Sequence, residues 1–184
     1  IWRAPTDNDR NEKHLWMRCC YDKASARAYE TEWSISSGAV TIRSCVAVVA
    51  ITVQRILSGE IIWTVLPNGE IKMDISMSKD PEFAILPRFG IRMFLPKEFR
   101  NVEYYGMGPM ESYIDKHRAS WHGVFKGDVN DLHEDYLRPQ ENGSHFDCSY
   151  VMLEDDDYML AAMAEQAFSF NASANAPVSA SSLR

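Results

Sequence analysis

Apolar positions along the chain recur mostly with a period of two, in short runs rich in Val, Ile, Thr, Trp, Phe and Tyr that turn residues interrupt. From Thr31 onward this pattern predicts a succession of antiparallel strands and an all-β fold. The plainest hairpin spans residues 60–78. In its first arm Ile61, Trp63 and Val65 alternate with Ile62, Thr64 and Leu66. Both faces are largely apolar, so this strand is expected to be buried between layers. Pro67-Asn68-Gly69 then turns the chain, with Asn and Gly supplying the positive φ a tight hairpin needs. In the return arm Ile71, Met73, Ile75 and Met77 alternate with Lys72, Asp74, Ser76 and Ser78, which predicts one core face and one wet face. Residues 40–57 form a long apolar-rich stretch that reads as two pieces, or as one strand with a bulge. Further strands are expected near residues 89–95, 102–105, 144–153, 158–164 and 167–171, with Glu154-Asp155-Asp156-Asp157 as a solvated turn. Residues 12–29 carry Leu15, Trp16, Cys19 and Cys20 at i, i+1, i+4 and i+5, the spacing of a short amphipathic helix. Residues 172–184 are nearly all small or polar and are expected to be a mobile tail.

Length and composition fit one globular domain over residues 1–171: the chain has 184 residues, 46% hydrophobic and 24% charged. The formal net charge is −7 and no basic cluster is present, which argues against nucleic acid and anionic membranes as partners. No apolar run approaches the roughly 20 residues of a spanning helix. The chain starts at Ile1, inside a polar motif, and is expected to be a segment of a longer polypeptide. Cys19, Cys20, Cys45 and Cys148 suit neither a disulfide framework nor a CxxC clamp. They read as reduced, mostly buried thiols, and a cytoplasmic setting is expected.

Three polar runs stand out. The first is Trp2-Arg3-Ala4-Pro5-Thr6-Asp7-Asn8-Asp9, and from Asp7 the stretch Asp7-Asn8-Asp9-Arg10-Asn11 has oxygens at alternate positions, as a calcium loop does, but Glu12 and Arg18 occupy the places where such a loop needs Gly and Glu. The expectation is an Asx-type turn, with Arg3 paired to one of the carboxylates. Tyr105-Gly106-Met107-Gly108-Pro109-Met110-Glu111-Ser112-Tyr113-Ile114-Asp115 places aromatic rings beside a Gly/Pro turn with nearby carboxylates. That serves either a structured turn over a core or a surface facing sugar. Pro139-Gln140-Glu141-Asn142-Gly143 has the same two readings, since Glu and Asn either cap loops or reach another domain. The five histidines show no HExxH or closely paired ligand spacing, so no metal site is expected. No GxSxG, GxxxxGK or GxGxxG is present.

Taken in this order, the three runs resemble the C-terminal β-sandwich domain, or small chain, of family 2 β-galactosidases, and the likeness covers residues 1–171. It implies a large antiparallel β-sandwich of the galactose-mutarotase-like type, a supersandwich truncated at its C-terminal end. It also implies a parent enzyme that hydrolyses terminal β-D-galactosyl residues with retention, by a nucleophilic and an acid/base carboxylate. Both carboxylates belong to a TIM barrel outside this chain, so no residue here inherits a catalytic role and the chain alone is expected to be inactive. The family's magnesium and sodium ligands also lie in other domains, and no cofactor is expected. The implied partners are the remaining domains, above all the barrel, together with the galactoside, and a homo-oligomer is open. The resemblance further implies a loop that closes on sugar, with its hinge at Gly90 and its path through Ile91 and Arg92 toward Arg100. Two other readings stand beside it. One is an autonomous carbohydrate-binding module that stacks sugar near Tyr104, Tyr105 and Trp121. The other, a mutarotase-like enzyme, has only fold analogy behind it.

Overall fold

The computed structural model describes residues 1–138 and 140–174. Within them the chain is all-β, with eight strands in two antiparallel four-stranded sheets. By contacts it divides into two compact units. One comprises residues 1–5 and 9–91, and the other residues 6–8 and the chain from Arg92 onward.

The first unit opens with a 3-10 turn, Asp7–Asn11, shared with its neighbour, and one short helix, α1 (Lys13–Arg18). The helix stops far short of the 12–29 window because Cys20 takes a left-handed conformation, φ 55°, which breaks the helical ladder. A 3-10 turn, Tyr21–Lys23, leads into β1 (Ser25–Ser36), which starts six residues before the first expected strand. Then come β2 (Ala39–Ala50), β3 (Val53–Val65) and β4 (Ile71–Lys79), in spatial order β1-β2-β3-β4. The 40–57 stretch is two pieces, parted by a turn in which Thr52 has φ 64°. The hairpin between β3 and β4 forms where expected, with Gly69 at φ 87°, but Asn68 does not take the left-handed conformation expected of it. Met73, Ile75 and Met77 are half-buried and the polar positions between them exposed, as the alternation predicts, but Ile71, expected on the same core face, is exposed. β3 is not buried on both faces, however, and Trp63 remains 37% exposed. The core of this unit gathers at the opposite end of the sheet, where Trp16, Tyr21, Ala50, Ile56 and Leu57 pack together with Phe83 and Leu86. The Tyr21 hydroxyl donates to the carbonyl of Ala84 at 2.6 Å, which satisfies the buried phenol.

The second unit holds β5 (Asn101–Gly108), β6 (Trp121–Asp128), β7 (Ser144–Glu154) and β8 (Met159–Asn171), in spatial order β6-β5-β7-β8. β6 was not foreseen. Its sequence, with Gly123 and Gly127 among polar residues, lacks a clean alternation. The runs 158–164 and 167–171 are one strand, whose register against β7 shifts between His145 and Tyr150. Asp147 sits in that irregularity at φ 57°. Glu154 still belongs to β7, and the rest of the acidic run forms the expected turn, in which the Asp155 carboxylate accepts the backbone N–H groups of Asp157 and Tyr158. The core here is Val102, Tyr104, Val129, Cys148 and Val151, flanked by Phe125, Leu132, Phe168 and Phe170. No strand forms over residues 89–95; residues 88–98 are exposed and have no regular structure. Of the tail, residues 175–184 lie outside the described residues.

All four cysteines are free thiols, but only Cys148 is buried and Cys45 is exposed. Burial pushes the Cys148 thiol up to about 12, so it is inert packing.

Candidate functional site

The second polar run organises itself around Glu111. β5 ends at Gly108, and a cis peptide joins it to Pro109. Gly106 is required by close approach, since a Cβ there would lie 2.3 Å from the Cys148 sulfur. Ser112, fully buried, donates to the carbonyl of Met107 at 2.8 Å and accepts the N–H of Phe146 at 2.9 Å. Its own N–H reaches the carbonyl of Ser144 at 2.7 Å. These bonds fasten the loop after β5 to the start of β7, and they place the Glu111 side chain, 4% exposed, beneath the loop carrying the third run.

Four donors converge on that carboxylate. Oε1 accepts from Lys116 Nζ at 2.6 Å and from the Tyr136 hydroxyl. Oε2 accepts from the Tyr113 hydroxyl at 2.9 Å and from the backbone N–H of Gly143 at 3.1 Å. Lys116 also donates to the Tyr136 oxygen at 2.8 Å. Burial by itself would raise the Glu111 pKa, but Lys116, Tyr136, the Gly143 N–H and Tyr113 together outweigh it and hold the group below the usual carboxylate range. Burial and the adjoining carboxylate push Tyr113 well above the ordinary phenol value. Contact with Glu111 raises Lys116 and Tyr136. Glu111 is therefore a fixed anion whose roughly four lone-pair directions are all taken, which leaves it no capacity to act as base or nucleophile.

Gly143 completes the knot for two reasons. Its φ is +63°, and a Cβ would fall 2.5 Å from the carbonyl oxygen of Leu132. Asn142 exchanges hydrogen bonds with the backbone of Glu134, which closes the 134–142 loop. Gln140 is exposed, Glu141 is half-buried, and Pro139 lies outside the described residues. Asp115 is exposed and is not among the groups that touch Glu111. The first run divides between the two units. Arg3 pairs with Asp9 through both guanidinium nitrogens, with the second contact at 2.9 Å, and stacks 5.2 Å from the centre of the Trp16 ring. Asp7 pairs with Arg138 at 3.5 Å, and Asn8 is exposed. The expected pairing of Arg3 with a carboxylate of the Asx turn is thus formed.

The aromatic candidates separate. Tyr104 is 1% exposed and belongs to the core, whereas Tyr105 is 39% and Trp121 58% exposed. Tyr105 pairs with Val124 in the β5/β6 ladder, while Trp121 pairs with Gly108. Strand alternation therefore puts the two rings on opposite faces of the sheet, so they do not form one stacking platform. Gly90 has no left-handed φ, and a Cβ on it would meet nothing within 4 Å. The boundary between the two units falls between Ile91 and Arg92, inside the exposed irregular segment.

Two features were invisible in the sequence. His145 is 1% exposed and neither ring nitrogen has a hydrogen-bond partner. It stacks 4.4 Å from the Tyr104 ring centre and 5.3 Å from that of Phe170. Burial lowers its pKa, against the opposing pull of the nearby Met107 backbone and, more weakly, of the Glu111 charge. The irregular register of β7 sets which way this histidine points, and no alternation pattern reports that. The other feature, in the first unit, is an open recess of about 510 Å³ lined by Arg27, Tyr29, Val49, Ala50, Ile51, Thr52 and Arg55, with the Arg55 guanidinium 4.8 Å above the Tyr29 ring. Among the described residues, no three His, Cys, Asp or Glu side chains come close enough to share a metal ion. No described helix is long and apolar enough to cross a membrane.

Comparison with known proteins gives one consistent answer. Residues 1–181 match the family model described as the beta galactosidase small chain. The chain is 43% identical over 173 residues to a beta-galactosidase of Actinobacillus pleuropneumoniae, covering 94% of this chain and 17% of that protein. It is 36% identical over 171 residues to one of Staphylococcus xylosus, covering 93% of this chain and 17% of that protein. With a beta-galactosidase of Lactobacillus delbrueckii subsp. bulgaricus the identity is 31%, over 85% of this chain and 15% of the relative. The chain thus spans about a sixth of the length of these relatives.

Proposed function

Because this chain belongs to the β-galactosidase small-chain family, we propose that it serves a β-galactosidase as a non-catalytic module, supporting the sugar pocket while other parts of the enzyme supply the chemistry. Retaining hydrolysis of a terminal β-galactoside needs two carboxyl groups about 5–5.5 Å apart, one free to attack and the other free to exchange a proton. The observation that carries the reading is the state of Glu111. The most buried carboxylate of the polar runs is saturated by Lys116, Tyr136, Tyr113 and the Gly143 N–H. Asp9, also largely shielded, is engaged by Arg3. Both act as internal ties of loop geometry rather than as reacting groups. In this reading the carboxylates of catalysis, and any magnesium or sodium, belong to the barrel and other domains of the parent enzyme. The segment through Gly90, Ile91 and Arg92 is the mobile part nearest the sugar.

The test is direct. The purified chain is incubated with a nitrophenyl β-galactoside, and the expected result is no release above background. Placed in the Actinobacillus pleuropneumoniae relative in exchange for the aligned segment, it is expected to give a chimera that hydrolyses the same substrate. Hydrolysis by the chain alone, or a folded chimera without activity, would overturn the proposal.

A second reading, a module that binds carbohydrate by itself, has to use the exposed Tyr105 and Trp121 rings singly, since they lie on opposite faces of the sheet. Calorimetric titration with galactose separates the two, since saturable binding tighter than millimolar belongs to the second alone.

A further inference from the structure

The sheet of the first unit has two unlike sides. Residues that pair directly across an antiparallel sheet point to the same side, so the register of the four strands reads out each face row by row. One row is Trp33, Ile42, Trp63 and Met73, taken in order across β1, β2, β3 and β4. The next row on that side is Ile35, Val40, Val65 and Ile71. The intervening rows face the other way: Glu32, Arg43, Ile62 and Asp74, then Ser34, Thr41, Thr64 and Lys72. That second side carries ion pairs between Arg43 and Glu60 and between Lys72 and Asp74, each at 3.4 Å, as a surface facing water does.

The first side is wholly apolar over these two rows, yet it is open. Trp33 is 69% exposed, Ile35 64%, Ile71 60% and Trp63 37%. None of the eight residues belongs to either buried core cluster. An exposed tryptophan of this degree presents on the order of 150 Å², and with its three exposed companions the patch reaches the several hundred Å² that marks an interaction site on a soluble protein.

We infer that this face, centred on Trp33 and Trp63, is the docking surface by which the chain packs against the remaining polypeptide of a β-galactosidase, sheet face against an apolar face. The inference rests on the proposed role as a β-galactosidase module, and three observations select this occupant. The relatives carry roughly six times the length of this segment, so their polypeptide includes ample material outside it. A surface held in the same polypeptide acts at an effective concentration of about a millimolar, which a second copy in dilute solution does not match. Two copies would also bring together chains of net charge −7 each. Docking runs through the face rather than the edge. The edge strand β1 bears Arg27, Glu30 and Glu32 along its length, and such charges oppose the addition of another strand.

The experiment is hydroxyl-radical footprinting of Trp33 and Trp63 in two states, the chain alone and the chain within the Actinobacillus pleuropneumoniae chimera. In the chain alone both are expected to label readily and independently of protein concentration. In an active chimera their labelling is expected to fall by about tenfold or more, as burial at an interface requires. Tyr105, in the other unit, gives a second comparison within each sample. An active chimera in which Trp33 and Trp63 label as fast as in the chain alone would overturn the docking surface and leave the module role standing. A folded but inactive chimera would overturn the module role itself and the occupant with it. Labelling that falls with concentration in the chain alone would identify a second copy as the occupant and also overturn the inference. A Trp33→Ser, Trp63→Ser chimera serves as an independent check. It is expected to lose assembly into soluble enzyme, whereas Thr41→Ala on the opposite side is expected to assemble normally.

Discussion

At the residue scale, Glu111 and His145 are two buried polar groups with opposite standing. Glu111 has every lone-pair direction filled and His145 has neither nitrogen partnered. Glu111→Gln removes the charge-assisted part of these bonds and leaves at least one amide proton facing a donor, so a loss of about 2–3 kcal/mol is expected in urea unfolding. Because the folded state depresses the Glu111 pKa, its contribution is complete above about pH 4.5 and is lost as pH falls through the lower folded value, so the variant should flatten the acid limb of the stability curve. His145 acts in a higher window. Its folded pKa is also depressed, so the unfolded chain binds the proton first, near pH 6.5, and stability declines as pH drops below about 7 toward the lower folded value. His145→Phe keeps the ring stack between Tyr104 and Phe170 and removes two unsatisfied nitrogens. The expected outcome is a protein more stable by about 1 kcal/mol, with a shallower slope of thermal midpoint against pH over that interval.

At the scale of single elements, the contrast lies between turns that demand a backbone conformation and a segment that demands none. Gly69 closes the β3/β4 hairpin at φ +87° with open space around it, so Gly69→Ala meets backbone strain alone and should cost about 1 kcal/mol. Gly143→Ala meets both a φ of +63° and the Leu132 carbonyl at 2.5 Å, so its cost should be clearly larger in the same assay. Gly90→Ala meets neither, and stability should change by less than about 0.5 kcal/mol. That neutrality makes Gly90 a clean site for testing the proposed hinge. In the active chimera a hinge role predicts altered kcat or KM with an unchanged unfolding midpoint, and unchanged kinetics would reject it.

At the scale of the whole molecule, the two units each bury a modest core, and the first leaves one sheet face apolar and open. On the docking proposal, that face is covered by further β-galactosidase polypeptide, of which the matched segment makes up about a sixth in the relatives. The chain alone should therefore bind a hydrophobic dye such as ANS strongly in the native state, and the double Trp33→Ser, Trp63→Ser variant should bind it markedly less, measured by fluorescence at neutral pH. Equal dye binding by both would place the sticky surface elsewhere.

The sequence by itself determined whatever depends on neighbours along the chain. The all-β class followed from period-two alternation, the Asn68-Gly69 hairpin from its turn residues, the acidic turn at 155–157 from its solvation, and the Arg3 pairing from an Asx-rich turn six residues away. The order of the three polar runs was enough to mark the family, because each run encodes a backbone geometry that generic loops do not need. Tertiary structure decided the rest. β6 is held in place by pairing with β5 although its own pattern is weak, and residues 89–95 have the apolar content of a strand but no partner strand to satisfy it. Only folding brings Lys116, Tyr136 and Gly143 onto Glu111, across separations of up to 32 residues. The same holds for His145, whose burial follows from a register shift in β7, and for the open face around Trp33 and Trp63, whose exposure depends on what packs against the sheet. Local propensity reads one residue's backbone preference, whereas saturation of a carboxylate or burial of a face is a property of several chain segments at once.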